Sequence, residues 1–221
     1  MRFQDAVPDA RAVTYAAIQA DPVVARAATL LADASRAQRL LARAVMNGET
    51  LDPDGWRTMF PTLFGAGTAP ADRERSEAIL AVSLAIADRG EQTRNQLRGA
   101  LVESLTATLL GRRAGSALVH RERRILFDGV RAQVHPYDVT VERQGAADAY
   151  DCKWGARGID ADVLDQLDDA RANAEEEGER LNVALVVFDA ERSCRVRLER
   201  QTARHGRTGL VSLETLDRLA G

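Results

Sequence analysis

The segment Leu181-Asn182-Val183-Ala184-Leu185-Val186-Val187-Phe188 constrains this chain more than any other. A nearly continuous apolar run of that length reads as a strand buried on both faces, and such a strand needs a sheet with a layer on either side. The residues ahead of it supply the other layers. Ala161 to Glu177 reads as an acidic helix with Val163, Leu164, Leu167, Ala170 and Ala174 on one face. Strands are expected before it at Ile125 to Phe127, Val130 to Val134, Asp138 to Glu142 and Ala149 to Trp154. Asp128-Gly129 and Arg143 to Asp148 provide the turns. A helix from Glu91 to about Leu110, closed by Gly111, precedes these strands. Arg195 to Glu199 alternates like an edge strand, and Ser212 is placed to cap a short final helix. Helix, antiparallel strands, helix and strand in that order give an α/β domain over residues 91–221, a mixed sheet flanked by helices.

Residues 1–90 read as helical throughout. Asp21-Pro22 is a helix start, with the carboxylate as N-cap and the proline in the first turn. Val23, Val24, Ala27, Leu30, Leu31, Ala34, Leu41 and Val45 recur at helical spacing up to the stop signal Asn47-Gly48. Glycines and prolines punctuate residues 52–70, and a second helix covers Ala71 to Asp88. With no catalytic spacing, this all-helical extension suits oligomerisation, recognition or regulation. The longest apolar runs are too short to cross a bilayer, and the N-terminus lacks the apolar stretch of a signal peptide. Two cysteines 42 positions apart argue against a disulfide framework and for a reduced, cytoplasmic setting.

One compositional fact points to chemistry. Of the 30 basic residues, 29 are arginine and one is lysine, Lys153. A position that keeps lysine against such a bias needs what arginine lacks, a compact ammonium on a flexible stem. On an alternating strand Asp151 and Lys153 point to one side, while Tyr150, Cys152 and Trp154 point to the other and read as core. In the preceding strand Asp138 shares a side with Thr140 and Glu142, and pairing of the two strands sets Asp138 across from Asp151. Two carboxylates supply hard oxygen ligands for Mg²⁺. A neighbouring ammonium can orient or deprotonate a water and offset developing negative charge. The competing reading is a surface ion pair, worth at most about 1 kcal/mol.

Two further residues are candidates. Between Gln96 and Leu110, Leu97, Leu101, Leu105 and Thr108 form one stripe, and Gly99, Ala100, Glu103 and Ala107 form a second stripe of small residues. A carboxylate at Glu103 is therefore not freely solvated; it reaches a metal or a buried arginine. Gln166 lies 13 residues after Lys153 at the edge of the next helix's apolar face, in reach of a water or a phosphate.

Glu103 on a helix, Asp138 opening a strand, Asp151-x-Lys153 on the next strand and Gln166 on the following helix resemble the PD-(D/E)xK nuclease superfamily. The resemblance covers residues 91–190. It implies a restriction endonuclease-like core of helix, three strands, helix and strand, and a Mg²⁺-dependent nuclease in which Mn²⁺ can substitute. By the same resemblance Asp138 and Asp151 are metal ligands, Glu103 is an outer ligand and Lys153 activates water or neutralises charge. The chain departs from the pattern in three places. Tyr137 stands between Pro136 and Asp138, aspartate replaces the commoner glutamate at 151, and the Gln-x-x-x-Tyr helix motif is met only at Gln166, position 170 being alanine.

Charge narrows the partner. The chain carries a net charge of −3, so no global basicity marks a nucleic-acid binder. Arg112-Arg113, Arg121-Arg123-Arg124 and the arginines from Arg192 to Arg207 are local exceptions, and Arg195 with Arg197 on one side of the edge strand is the expected backbone contact. DNA is the expected partner ahead of RNA, with a homodimer completing the groove. His120, His135 and His205 show no zinc spacing. A protein that kept this fold and binds nucleic acid or assembles without catalysis is the rival reading, and the complete acid, acid and lysine set argues against it.

Overall fold

A computed structural model describes residues 1–6, 10–127, 130–131, 135–201 and 208–221, without the side chains of 10–14 and 130–131. These residues form two compact units, Ala10–Leu105 and Met1–Asp9 with Thr106–Gly221. The expected boundary at residue 90 thus falls within the helical unit.

The helical unit contains α1 (Ala10–Gln19), α2 (Pro22–Ala32), α3 (Arg36–Asn47), α4 (Pro53–Met59), α5 (Pro61–Phe64), α6 (Pro70–Ala87) and the part of α7 (Glu91–Arg113) that ends at Leu105. Asp21 caps α2 by accepting from the Val23 amide at 2.9 Å, with Pro22 in the first turn. The periodic stretch that follows is two helices. Ser35 stops it, because its hydroxyl takes the Gln38 amide while the Gln38 side chain takes the Ser35 amide, a reciprocal capping box that starts α3. Val24, Leu31, Leu41, Val45, Ile79 and Ile86 are fully buried in this unit.

The second unit is a mixed sheet of seven strands among the described residues: β1 (Arg2–Asp5), β2 (Leu118–Phe127), β3 (Val130–Arg131), β4 (Tyr137–Arg143), β5 (Ala146–Lys153), β6 (Arg180–Val187) and β7 (Gly209–Ser212). Their order is β1-β2-β4-β5-β6-β7, with β3 paired to β2. β4 and β5 are antiparallel, joined through Gln144-Gly145, where Gly145 takes φ +69°, a conformation that costs an ordinary residue energy. From β5 the chain crosses through α8 (Ala161–Glu176) to β6, which runs parallel to β5 as a crossover connection requires. The apolar run forms the strand expected, one in from the edge of the sheet, parallel to β5 on one side and β7 on the other. Leu164, Leu167, Ala170 and Ala174 of α8 bury against Leu181, Val183, Leu185 and Val187. A final 3₁₀ helix, Leu213–Leu219, begins at Ser212 as expected.

Several expectations are corrected. Arg195 to Glu199 is helical, within α9 (Glu191–Gln201). Alternation in Arg-Val-Arg-Leu-Glu fits a strand, but Cys194 and Leu198, four apart, both pack on the core, as one face of a helix does. The edge strand in this region is instead β7. Residues 2–5, read as part of a helical extension, pair with β2. Gly111 does not end α7, which continues to Arg113. Only Val130–Arg131 of the expected strand to Val134 is described as strand, and residues 132–134, like Arg204 and Arg207, lie outside the described residues. No described helix is long and apolar enough to cross a membrane.

Candidate metal centre

The site begins with a break in strand alternation. Facing residues of an antiparallel pair share a side, so His120, Thr140 and Ala149 line one face of the sheet. Ala149 belongs to the apolar cluster under α8, and so do Ile125, Phe127 and Tyr137. From 120 to 125, and from 137 to 140, the separation is odd, so unbroken alternation would put these residues on opposite faces. The alternation therefore slips by one residue in both strands. In β2 the cause is Glu122, whose φ of 54° makes it the one non-glycine residue with positive φ among those described. The neighbouring pairs are Arg121 with Val139 and Arg123 with Tyr137, so Glu122 stands opposite Asp138. Carboxylate oxygens of these two residues lie within 4.8 Å of each other.

A left-handed backbone costs an L-residue with a side chain about 1 kcal/mol. Glu122→Gly is therefore expected to raise the urea midpoint by about that amount of stability, while removing a carboxylate from the site. A midpoint below the parent's would mean that the contacts of the Glu122 side chain outweigh the backbone cost.

The ladder between β4 and β5 reaches Val139–Tyr150 and goes no further. The next amide on β5 that would need a partner, that of Cys152, donates to Asp138 Oδ2 at 2.5 Å. A side-chain carboxylate here does the work of a strand carbonyl, and the two strands part around it. Asp151, in line with Asp138 by the register, is buried at 6% exposure. Its Oδ1 forms an ion pair with Lys153 Nζ. Burial works to lower the pKa of Lys153, but the Asp151 and Asp138 carboxylates outweigh it and hold the pKa above the ordinary lysine value. At neutral pH Lys153 is an ammonium, a cation and not a base. The stability this pairing contributes is complete below the unfolded-state pKa and is lost as pH rises through the higher folded-state value.

The other face of β5 is packed as expected. Cys152 is buried with Sγ 3.5 Å from Thr106 Oγ1 and Tyr150 is 7% exposed; Trp154, expected in the core, lies just beyond the strand, half-buried and stacked on Phe188 with centroids 5.1 Å apart. Gln166 is near the site. Its Oε1 accepts from the His135 amide and its Nε2 donates to the His135 carbonyl, both at 3.3 Å. The amide thus holds the backbone leading into β4. Tyr137, fully buried, has its phenol pKa raised by burial and by Asp151 and Asp169, and its hydroxyl donates to the Gln166 carbonyl at 3.5 Å.

Glu103 lies in the helical unit at 4% exposure, in keeping with a carboxylate that is not freely solvated. It accepts from Tyr15 Oη at 2.5 Å and Gln19 Nε2 at 2.7 Å, both on α1. The stripe of small residues has a role in this: a β carbon on Gly99 would lie 3.1 Å from Tyr15 Oη, so glycine makes room for the tyrosine.

The expected arginine pair is separated. On a helix, residues two apart face different directions. Arg195 pairs with Glu191 at 2.8 Å, while Arg197 Nε donates to the Ile159 carbonyl at 2.9 Å. Arg123 is likewise engaged, bidentate on Glu142 at 2.8 and 3.2 Å and paired with Asp5 at 2.5 Å. It ties β1 and β4 to the strand between them. Glu122 was missed in the sequence because it sits inside the basic run Arg121-Glu122-Arg123-Arg124. No local pattern marks it as the point where the alternation breaks.

No family model matches the chain, and no curated protein does. Among solved structures, the crystal structure of protein VC1899 from Vibrio cholerae is similar at a TM-score of 0.43 and 16% sequence identity, with 99% of this chain and 56% of that protein covered. The chain therefore spans little more than half the length of that structure.

Proposed function

We propose that this chain is a divalent-metal-dependent nuclease that hydrolyses phosphodiester bonds, of DNA ahead of RNA, with a restriction endonuclease-like core formed by α7, β2, β4, β5, α8 and β6. The observation that carries the reading is the parting of β4 and β5 around the Asp138 carboxylate, with Asp151 and the lone lysine paired on the adjoining strand. The donor set suits Mg²⁺ or Mn²⁺. Asp138, Asp151 and Glu122 offer hard oxygens, and the Glu122 and Asp138 oxygens, within 4.8 Å, are near the span of about 4 Å between opposed ligands of one Mg²⁺. When bound, such an ion stabilises charge on the scissile phosphate and acidifies a water.

The chain's own residues do the rest. Cys152 N–H fixes the Asp138 carboxylate in one orientation, a preorganisation that costs nothing during reaction. Lys153 is held as an ammonium beside both aspartates, suited to offset negative charge gathering on a phosphate. Gln166 fixes the entry to β4 and hence Asp138. Glu103 is added to the ligand set by the family resemblance, as a buried carboxylate.

Isothermal titration with Mn²⁺, followed by cleavage of linear and supercoiled DNA with Mg²⁺, tests the proposal. Saturable binding at one site per chain and cleavage abolished by chelation are expected. A chain that binds neither ion at millimolar concentration is not this kind of enzyme. Glu103→Gln in the same titration checks the outer ligand, and sedimentation with and without DNA checks the proposed dimer.

A further inference from the structure

We propose that Gly158 and Arg197 are positioning residues for Lys153, Gly158 by packing against its stem and Arg197 by holding the turn that carries Gly158. The role in cleavage rests on the nuclease reading; the placement of the lysine does not.

After Lys153 the chain leaves β5 and passes through a 3₁₀ turn, Ala156–Gly158. A β carbon on Gly158 would lie 3.1 Å from Lys153 Cδ, 3.2 Å from Cγ and 3.3 Å from Cβ. The glycine backbone therefore lies along the lysine methylenes, where a larger residue would push them aside. A lysine stem has four rotatable bonds and about 2 kcal/mol of rotamer entropy to lose, so a wall along three of its carbons decides where the ammonium sits.

That wall is itself anchored on both sides. Asp189, just beyond β6, accepts the Ala156 amide on Oδ2 at 2.9 Å and the Ala190 amide on Oδ1 at 2.7 Å. Its carbonyl accepts the Leu213 amide at 3.0 Å. On the far side of the turn, Arg197 reaches from α9 to the Ile159 carbonyl at 2.9 Å. The Lys153 backbone is held separately, its carbonyl accepting from the Phe188 amide at 2.9 Å. Changes at Gly158 or Arg197 thus act on the lysine side chain while its strand stays in place. The arginine expected to touch a phosphate acts instead through the turn.

The single lysine makes the test direct, because acetylation read by mass spectrometry reports one side-chain amine. Gly158→Ala and Arg197→Leu are each expected to make Lys153 acetylate severalfold faster, with circular dichroism unchanged. In metal-dependent cleavage each lowers kcat by roughly tenfold, with KM retained, as small misplacements of a reacting group do. Arg197→Gln, whose amide can still donate to the Ile159 carbonyl, restores slow acetylation; lysine is avoided there because it would add a second amine. If Gly158→Ala does not fold, the Arg197 pair decides alone. Acetylation at the parent rate in folded Arg197→Leu overturns the proposal. Shifted acetylation in a protein that cleaves no DNA would support the positioning role and remove the nuclease reading.

Discussion

Asp138→Asn is expected to abolish detectable Mn²⁺ binding and to lower metal-dependent cleavage at least about 10³-fold. Asparagine is the informative substitution because it is nearly isosteric and its side-chain oxygen can still accept from the Cys152 amide, the contact Asp138 makes at 2.5 Å. Alanine would leave that amide without its acceptor, at a cost of about 1–3 kcal/mol, and would confound folding with ligation. Asparagine removes the charge and keeps the shape. It also takes away one of the two carboxylates that hold the Lys153 ammonium. Calorimetric titration and thermal unfolding of the same sample are the measurements. Unchanged metal affinity in a folded Asp138→Asn protein would show that any ion is held elsewhere.

Lys153→Met is expected to separate binding from chemistry. Its cleavage falls by roughly 10²–10³-fold, because the charge offset at the phosphate is gone. Its Mn²⁺ affinity is kept or increased, because the ammonium on Asp151 Oδ1 competes with any other cation for that oxygen. Stability moves as well. Asp151 is 6% exposed, and burying a carboxylate without its counter-charge costs about 3 kcal/mol, somewhat less here since the Lys153 side chain is itself 27% exposed. Added Mn²⁺ then stabilises the variant more than the parent, a difference that melting curves with and without metal read directly. Equal cleavage by parent and variant would remove Lys153 from the mechanism, and equal stabilisation by metal would remove Asp151 from the ligand set.

Much of the fold was legible because its signals are short-range. The hairpin between β4 and β5, the acidic helix and the buried strand after it each follow from the residues inside them. Asp21 and Ser212 are read as caps from their own neighbours, as Ser35 can be. The grouping of Asp138, Asp151 and Lys153 was legible for the same reason, since a short connection joins the two strands and Asp151 and Lys153 are two apart on one side; the turn itself was read too long, as Arg143 to Asp148, where the strands pair up to Arg143 and Ala146. Arg195 to Glu199 was misread because five alternating residues satisfy a strand, and only the burial of Cys194 and Leu198 on the same core distinguishes a helix. The two hydrogen bonds of Gln166 to the His135 backbone were not legible, because His135 is 31 residues distant and leaves no trace around position 166.

By itself the sequence determined which residue types gather on β4 and β5 and the order of elements that carries them, since alternation and helical period act over a few residues. Only the tertiary structure decided that Glu122 stands opposite Asp138 in a left-handed conformation, that the Cys152 amide takes a carboxylate in place of a carbonyl, and that Arg197 holds a turn. Each of these depends on partners from other segments, where a backbone group must find an acceptor or a strand must change phase, and no window along the chain contains both members of such a pair.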